Sequence, residues 1–139
     1  MTDIFTAERR SWLMSRVRGK DTTPEKAVRS FLHRLGFRFR LHDASLPGKP
    51  DIVLPRYRTV IFVNGCFWHG HRGCGRAKLP STRPEFWSNK ISMNMKRDQS
   101  ALRNIRQVGW KVIVVWECQT HTAAALERNL RRLLTEREH

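Results

Sequence analysis

Residues 50–74 read Pro50-Asp51-Ile52-Val53-Leu54-Pro55-Arg56-Tyr57-Arg58-Thr59-Val60-Ile61-Phe62-Val63-Asn64-Gly65-Cys66-Phe67-Trp68-His69-Gly70-His71-Arg72-Gly73-Cys74. Two apolar runs, Asp51 to Leu54 and Val60 to Val63, flank a turn at Pro55 to Thr59 short enough to force an antiparallel hairpin. Pairing outward from that turn, Leu54 faces Ile61, Val53 faces Phe62 and Asp51 comes opposite Asn64, to within one residue. Asp51 and the Val63-Asn64-Gly65 corner then meet at the open end of the hairpin. Both arms are apolar on both faces, which predicts cover on both sides and a place at the centre of a sheet.

Outward from this stretch, Thr22 and Glu25 stand at capping-box spacing with Pro24 in the first turn, so a helix is expected to start there. Val28, Phe31, Leu32 and Leu35 make its apolar face, and Gly36 sits where a C-terminal cap belongs. Phe37, Phe39 and Leu41 alternate with Arg38, Arg40 and His42, the pattern of a half-buried strand with a basic outer face. After the Cys/His loop a long helix is predicted over Thr82 to Val108, with Thr82 and Glu85 as a second capping box and Gly109 as its stop. Trp87, Ile91, Met95, Leu102 and Ile105 form its stripe. Asp98 falls on that stripe, and an acid there needs a partner. Lys111 to Trp116 is a nearly uninterrupted apolar strand that delivers Glu117 and Cys118. Strand, helix and strand predict a right-handed crossover that sets this strand parallel to one hairpin arm. Leu126, Leu130, Leu133 and Leu134 give a final helix its packing face, and Trp110 and Trp116 are assigned to the core.

The chain has 139 residues, one domain's length, with 27 Lys and Arg against 12 Asp and Glu and a net charge of +15. Repulsion on that scale opposes compaction, and its usual counterpart is a phosphate backbone. No apolar run approaches the ~18 residues that span a membrane, and the opening residues lack the regions of a secretory signal. A cytoplasmic nucleic-acid-binding protein is therefore expected, with residues 1–20 as a basic arm that orders on DNA or frays.

Three cysteines, Cys66, Cys74 and Cys118, cannot pair off completely, and such a compartment keeps thiols reduced. Together with a histidine they make a zinc set, and four protein ligands are structural rather than catalytic. His71 is the expected fourth ligand and His69 its substitute; two residues apart, they should point differently, one to metal and one free for chemistry. The alternative is three buried free thiols.

With these residues assembled, the chain resembles the very short patch repair endonucleases, the Vsr family of mismatch nicking enzymes, a branch of the PD-(D/E)xK nuclease fold. The matching text is Ala44-Ser45-Leu46-Pro47-Gly48 before Pro50-Asp51, then Gly65-Cys66-Phe67-Trp68-His69. Thr82-Arg83 with Glu85-Phe86-Trp87, Lys96-Arg97-Asp98, Gly109-Trp110 and Val115-Trp116-Glu117-Cys118 follow. It runs over roughly residues 14–118.

The resemblance implies a restriction-endonuclease-like α/β fold, a mixed central sheet flanked by helices with a structural Zn2+, in a single domain over 1–139. It implies a bacterial, nucleoid-associated enzyme that uses Mg2+ to nick one strand of double-stranded DNA 5' of the thymine in a T:G mismatch. Such an enzyme would act as a monomer, alongside other mismatch-repair proteins. Asp51 corresponds to the family's metal-binding aspartate, and the main-chain carbonyl at Val63 supplies a second Mg2+ ligand. His69 matches the histidine near the scissile phosphate, Asp98 the acid that orients it, and Glu25 a second acid reaching the water network. Phe67, Trp68 and Trp87 match an aromatic wedge that enters the duplex. The family pattern has threonine and histidine where this chain has Val63 and Asn64, and a Cys/His loop one residue shorter. Asn64 can hold a water by hydrogen bonding but cannot act as a base. That departure leaves two alternatives: a restriction-type or structure-directed nuclease of the same fold, or a zinc-containing DNA-binding module with weakened catalysis.

Overall fold

The computed structural model describes residues 22–137. The basic arm proposed for 1–20 lies outside them. Eight regular elements follow in order: α1 Thr23–Arg34, β1 Arg40–Leu41, β2 Ile52–Leu54, β3 Thr59–Asn64, α2 Pro84–Gln107, β4 Lys111–Trp116, α3 Ala123–Asn129 and α4 Arg131–Arg137. The strands form one mixed sheet in the order β1-β2-β3-β4, antiparallel at the first two pairings and parallel between β3 and β4.

Alternation along the central strands sorts their side chains into two layers. Ile52, Leu54, Ile61, Ile113 and Val115 face one way and pack with Val28, Phe31 and Leu32 of α1 and with Leu126, Leu130 and Leu133. Val53, Val60 and Val112 face the other way and meet Ile105 of α2. The hairpin is therefore covered on both faces, as its doubly apolar arms require.

The hairpin register is two residues tighter than its sequence suggests: Ile52 pairs with Ile61, Val53 with Val60 and Leu54 with Thr59. A 3-10 turn at Pro55–Tyr57 and a left-handed Arg58 (φ 47°) close the loop, so Thr59 pairs instead of belonging to the turn. A shift of two residues preserves which face each side chain occupies, so the layering survives the correction.

Other departures have local causes. The strand expected from Phe37 to Leu41 shrinks to two residues, ending where His42 turns to φ 49°. The box expected between Thr82 and Glu85 does not form, because Pro84 takes the first helical position and makes Arg83, left-handed at φ 52°, the N-cap. Only half of the first box forms, with Thr22 Oγ1 accepting from Glu25 N–H at 3.3 Å. The last helix is divided at Leu130, where Leu130 N–H to Leu126 O and Leu134 N–H to Leu130 O carry the backbone across the junction.

Candidate metal centre and active site

The loop leaving β3 folds back on α2. Gly70 makes this possible: it holds φ 62°, and a Cβ there would lie 2.8 Å from Met95 Sδ and 2.9 Å from Ile91 Cγ2. Asn94, buried on the same face of α2, donates Nδ2–H to Trp68 O at 3.0 Å. Cys66 N–H is bound to Glu117 Oε1 at 3.3 Å, which ties the start of the loop to the end of β4.

Cys66, His71, Cys74 and Cys118 converge there, with one ligand atom from each within 4.8 Å of the others. His71 Nδ1 lies 3.6 Å from Cys66 Sγ and 3.5 Å from Cys118 Sγ. Tetrahedral ligands at ~2.3 Å for sulfur and ~2.0 Å for nitrogen would be separated by about 3.5 Å, so the donor set fits a zinc-sized ion. The His71 ring stacks on Trp116 at 4.1 Å and 5°. Trp116, expected in the core, is thus only half-buried and holds the ring of a candidate ligand in orientation. Burial pushes the Cys66 thiol up to about 12, so without a metal it stays protonated. A backbone hydrogen bond from Arg76 draws the Cys74 thiol down.

His69 is turned the other way. Its Nδ1 meets Asp98 Oδ2 at 2.5 Å, which satisfies the acid on the stripe of α2. Bound there to a carboxylate, Nδ1 carries the ring proton and Nε2 is left as the nitrogen for chemistry. Next to His69 on the same loop, Phe67 and Trp68 form an aromatic cluster with Trp87 of α2. Phe67 and Trp68 are half-buried and sit 5.6 and 6.1 Å from the Trp87 ring, with Lys90 Nζ 5.6 Å from the centre of Trp68. Trp87, expected to enter a duplex beside them, is 1% exposed and forms the base of the cluster.

At the same open end of the hairpin, where β2 begins, Asp51 Oδ2 accepts Val63 N–H at 2.7 Å. Burial pushes the Asp51 carboxyl up to about 7; the Val63 hydrogen bond and the nearby His69 oppose that rise, and Glu25 adds to it. Glu25, 2% exposed, comes from α1 to the same place, and Glu25, His42 and Asp51 form a second group whose ligand atoms lie within 4.8 Å of one another. Its carboxylate oxygens suit a hard cation such as Mg2+. Asn64 ends β3 opposite Trp116.

Four contributors escape sequence reasoning: His42, Arg29, Asn94 and Glu117. Arg29 could have been found, since it stands one helical turn beyond Glu25. The other three act through tertiary contacts that no spacing announces. Among the described residues, no helix is long and apolar enough to cross a membrane.

Comparison with known proteins converges on one group. The family described as DNA mismatch endonuclease Vsr matches residues 2–76. The type II nicking enzyme V.XorIIP of Xanthomonas oryzae is 54% identical over 134 residues, 96% of this chain and 98% of its own. The type II nicking enzyme V.NmeAIP of Neisseria meningitidis is 46% identical, covering 98% of this chain and 96% of that one. The DNA mismatch endonuclease Vsr of Escherichia coli is 46% identical over 118 residues, 85% of this chain and 75% of its own.

Proposed function

This chain belongs to the Vsr family of DNA mismatch endonucleases, and we propose that it nicks one strand of duplex DNA 5' of the thymine in a T:G mismatch. The observation that carries this reading is the placement of Asp51, bonded to Val63 N–H, near a His69–Asp98 pair, with Phe67 and Trp68 on the same loop as His69. A hydrolytic group and a wedge are thereby held by one loop. We assign the chain a PD-(D/E)xK fold, a monomeric state, a cytoplasmic setting and a structural Zn2+ on Cys66, His71, Cys74 and Cys118.

Phe67 and Trp68 enter the stack beside the mismatch, with Trp87 as the base on which they rest. Unstacking costs a few kcal/mol per step, about the least where pairing is already weak, which gives mismatches the advantage. Asp51 and the Val63 carbonyl would hold Mg2+, which when bound would supply charge neutralisation and Lewis-acid assistance for phosphodiester hydrolysis. Asn64 and Glu25 orient water at the edge of the same pocket. Attack is in line at phosphorus and leaves a 5'-phosphate and a 3'-hydroxyl. His69 acts as a doubly protonated ring: a proton taken from solvent at Nε2 is delivered there to the departing oxygen, and the ring returns to its neutral Nδ1–H form. Asp98, accepting from Nδ1–H, holds it in the orientation this needs. Because Asn64 cannot titrate near neutral pH, His69 is the histidine on which proton transfer rests.

Nicking of a T:G duplex with Mg2+, compared with a matched T:A control, tests the reading. Selective cutting of the thymine strand is expected. Equal cutting of both duplexes would mean a nuclease without mismatch preference, and binding without cutting at high enzyme a DNA-binding module.

A further inference from the structure

Arg29 stands in the carboxylate pocket and has no part in the mechanism above. Its side chain is 18% exposed, and Nη2 lies 2.7 Å from Glu25 Oε2 and 3.2 Å from His42 Nε2. A guanidinium nitrogen is a donor only, so His42 Nε2 accepts and its proton sits on Nδ1. The two hydrogens of one nitrogen therefore serve a carboxylate and an imidazole at once. Glu25 Oε1 faces the same imidazole nitrogen at 3.4 Å. His42 is itself fixed through its backbone, where its N–H reaches Asp51 O at 3.1 Å and its left-handed φ of 49° ends β1. The cation, the acid and the imidazole are thus tied through His42 to Asp51, just before β2.

We propose that Arg29, clamped between Glu25 and His42, is the resident cation of this pocket, filling the place beside Glu25 that a second divalent ion would take. The pocket then binds one divalent ion, on the Asp51 side. Glu25 is neutralised by the chain, and Asp51 is left to the metal. This inference rests on the proposed role of Asp51, because it is that residue's ion whose number and affinity Arg29 sets. A fixed charge of +1 about 6 Å from a divalent ion weakens its binding by about tenfold even at a water-like dielectric of ~80, and by more where the pocket screens less.

Manganese binding to the zinc-loaded full-length chain, followed without DNA by loss of the free-ion paramagnetic resonance signal, tests the proposal. The wild type should bind one Mn2+, and Asp51→Asn should lose it. Arg29→Met should bind a second ion or bind the first about tenfold more tightly, whereas Arg29→Lys, which keeps the charge, should match the wild type. Arg29→Gln keeps a donor to Glu25 and serves where the methionine variant fails to fold. Unchanged stoichiometry and affinity in the neutral variants, with Asp51→Asn still abolishing binding, would overturn the role of Arg29 alone. Full binding by Asp51→Asn would overturn the Asp51 assignment and the inference together.

Discussion

Replacing Asp51 by asparagine should make the magnesium-free protein more stable at neutral pH while removing its activity. The carboxyl is raised from 3.8 to about 7, first by burial and then by Glu25, against the pull of the Val63 N–H and His69. Between those two pH values the folded chain keeps a proton that the unfolded chain has released. Stability is therefore lost as pH rises through this window, and the loss is complete above the folded value. At ~1.4 kcal/mol per pH unit the interval sets a ceiling of about 4 kcal/mol. Asparagine is neutral throughout and can still accept the Val63 N–H, so the variant escapes the penalty. In thermal melts of zinc-loaded, magnesium-free protein, the variant and wild type should coincide near pH 4. They should separate by about 5 °C or more at pH 8. Adding Mg2+ should raise the wild type alone, since only a protein that binds the ion gains from it. A variant melting at or below the wild type at pH 8, or a gap independent of pH, would refute the reasoning.

Three other outcomes are expected. Cys118→Ser opens the four-ligand cluster and should lower the melting temperature by about 10 °C or more; a curve indifferent to both the substitution and zinc chelation would count against a structural metal. Asp98→Asn should slow single-turnover nicking by about 10²-fold or more, the scale of general acid–base assistance, with DNA affinity nearly unchanged; equal loss of binding and rate would point to a structural role. Asn94→Ala strands a carbonyl beneath the Trp68 loop and should cost about 1–3 kcal/mol, accompanied by weaker preference for mismatched over matched duplex. Unaltered preference would separate the anchor from the wedge.

The parts of the fold legible in the sequence are those set by local pattern. Lys111–Trp116 is a nearly uninterrupted apolar run and is found at those bounds as a strand. Gly109, at φ 93°, ends α2 where a glycine stop was expected. The start of α2 misled because capping-box spacing is a weaker constraint than a proline, whose missing N–H and fixed φ choose the first helical residue. The hairpin register misled because loop length was counted from hydrophobicity, and Thr59 is polar yet 2% exposed and paired. At the site, Asp51, His69, Asp98 and the zinc set stood out as residue types that are costly to bury without a task. His42, Asn94 and Glu117 did not, because a hydrogen bond between distant segments leaves no period behind, whereas Arg29 was legible as the i+4 partner of Glu25. Asn94 is the plainest case: it lies on the buried stripe of α2 and looks like a polar interruption until Trp68 O is placed against it.

Helix α2 carries Trp87, Ile91, Asn94 and Asp98 along one face. The first underlies the aromatic wedge, the next two seat the loop, and the last holds His69. Positions 87 to 98 span about 16 Å of axis at ~1.5 Å per residue. Under the roles proposed here, the helix is a ruler between the place where the duplex is pried open and the place where it is cut. It also has a phase. One residue inserted between Ile91 and Asp98 would turn the acid by about 100° away from His69 while leaving Trp87 in place, so the distance from mismatch to nick is written in whole turns of a single element.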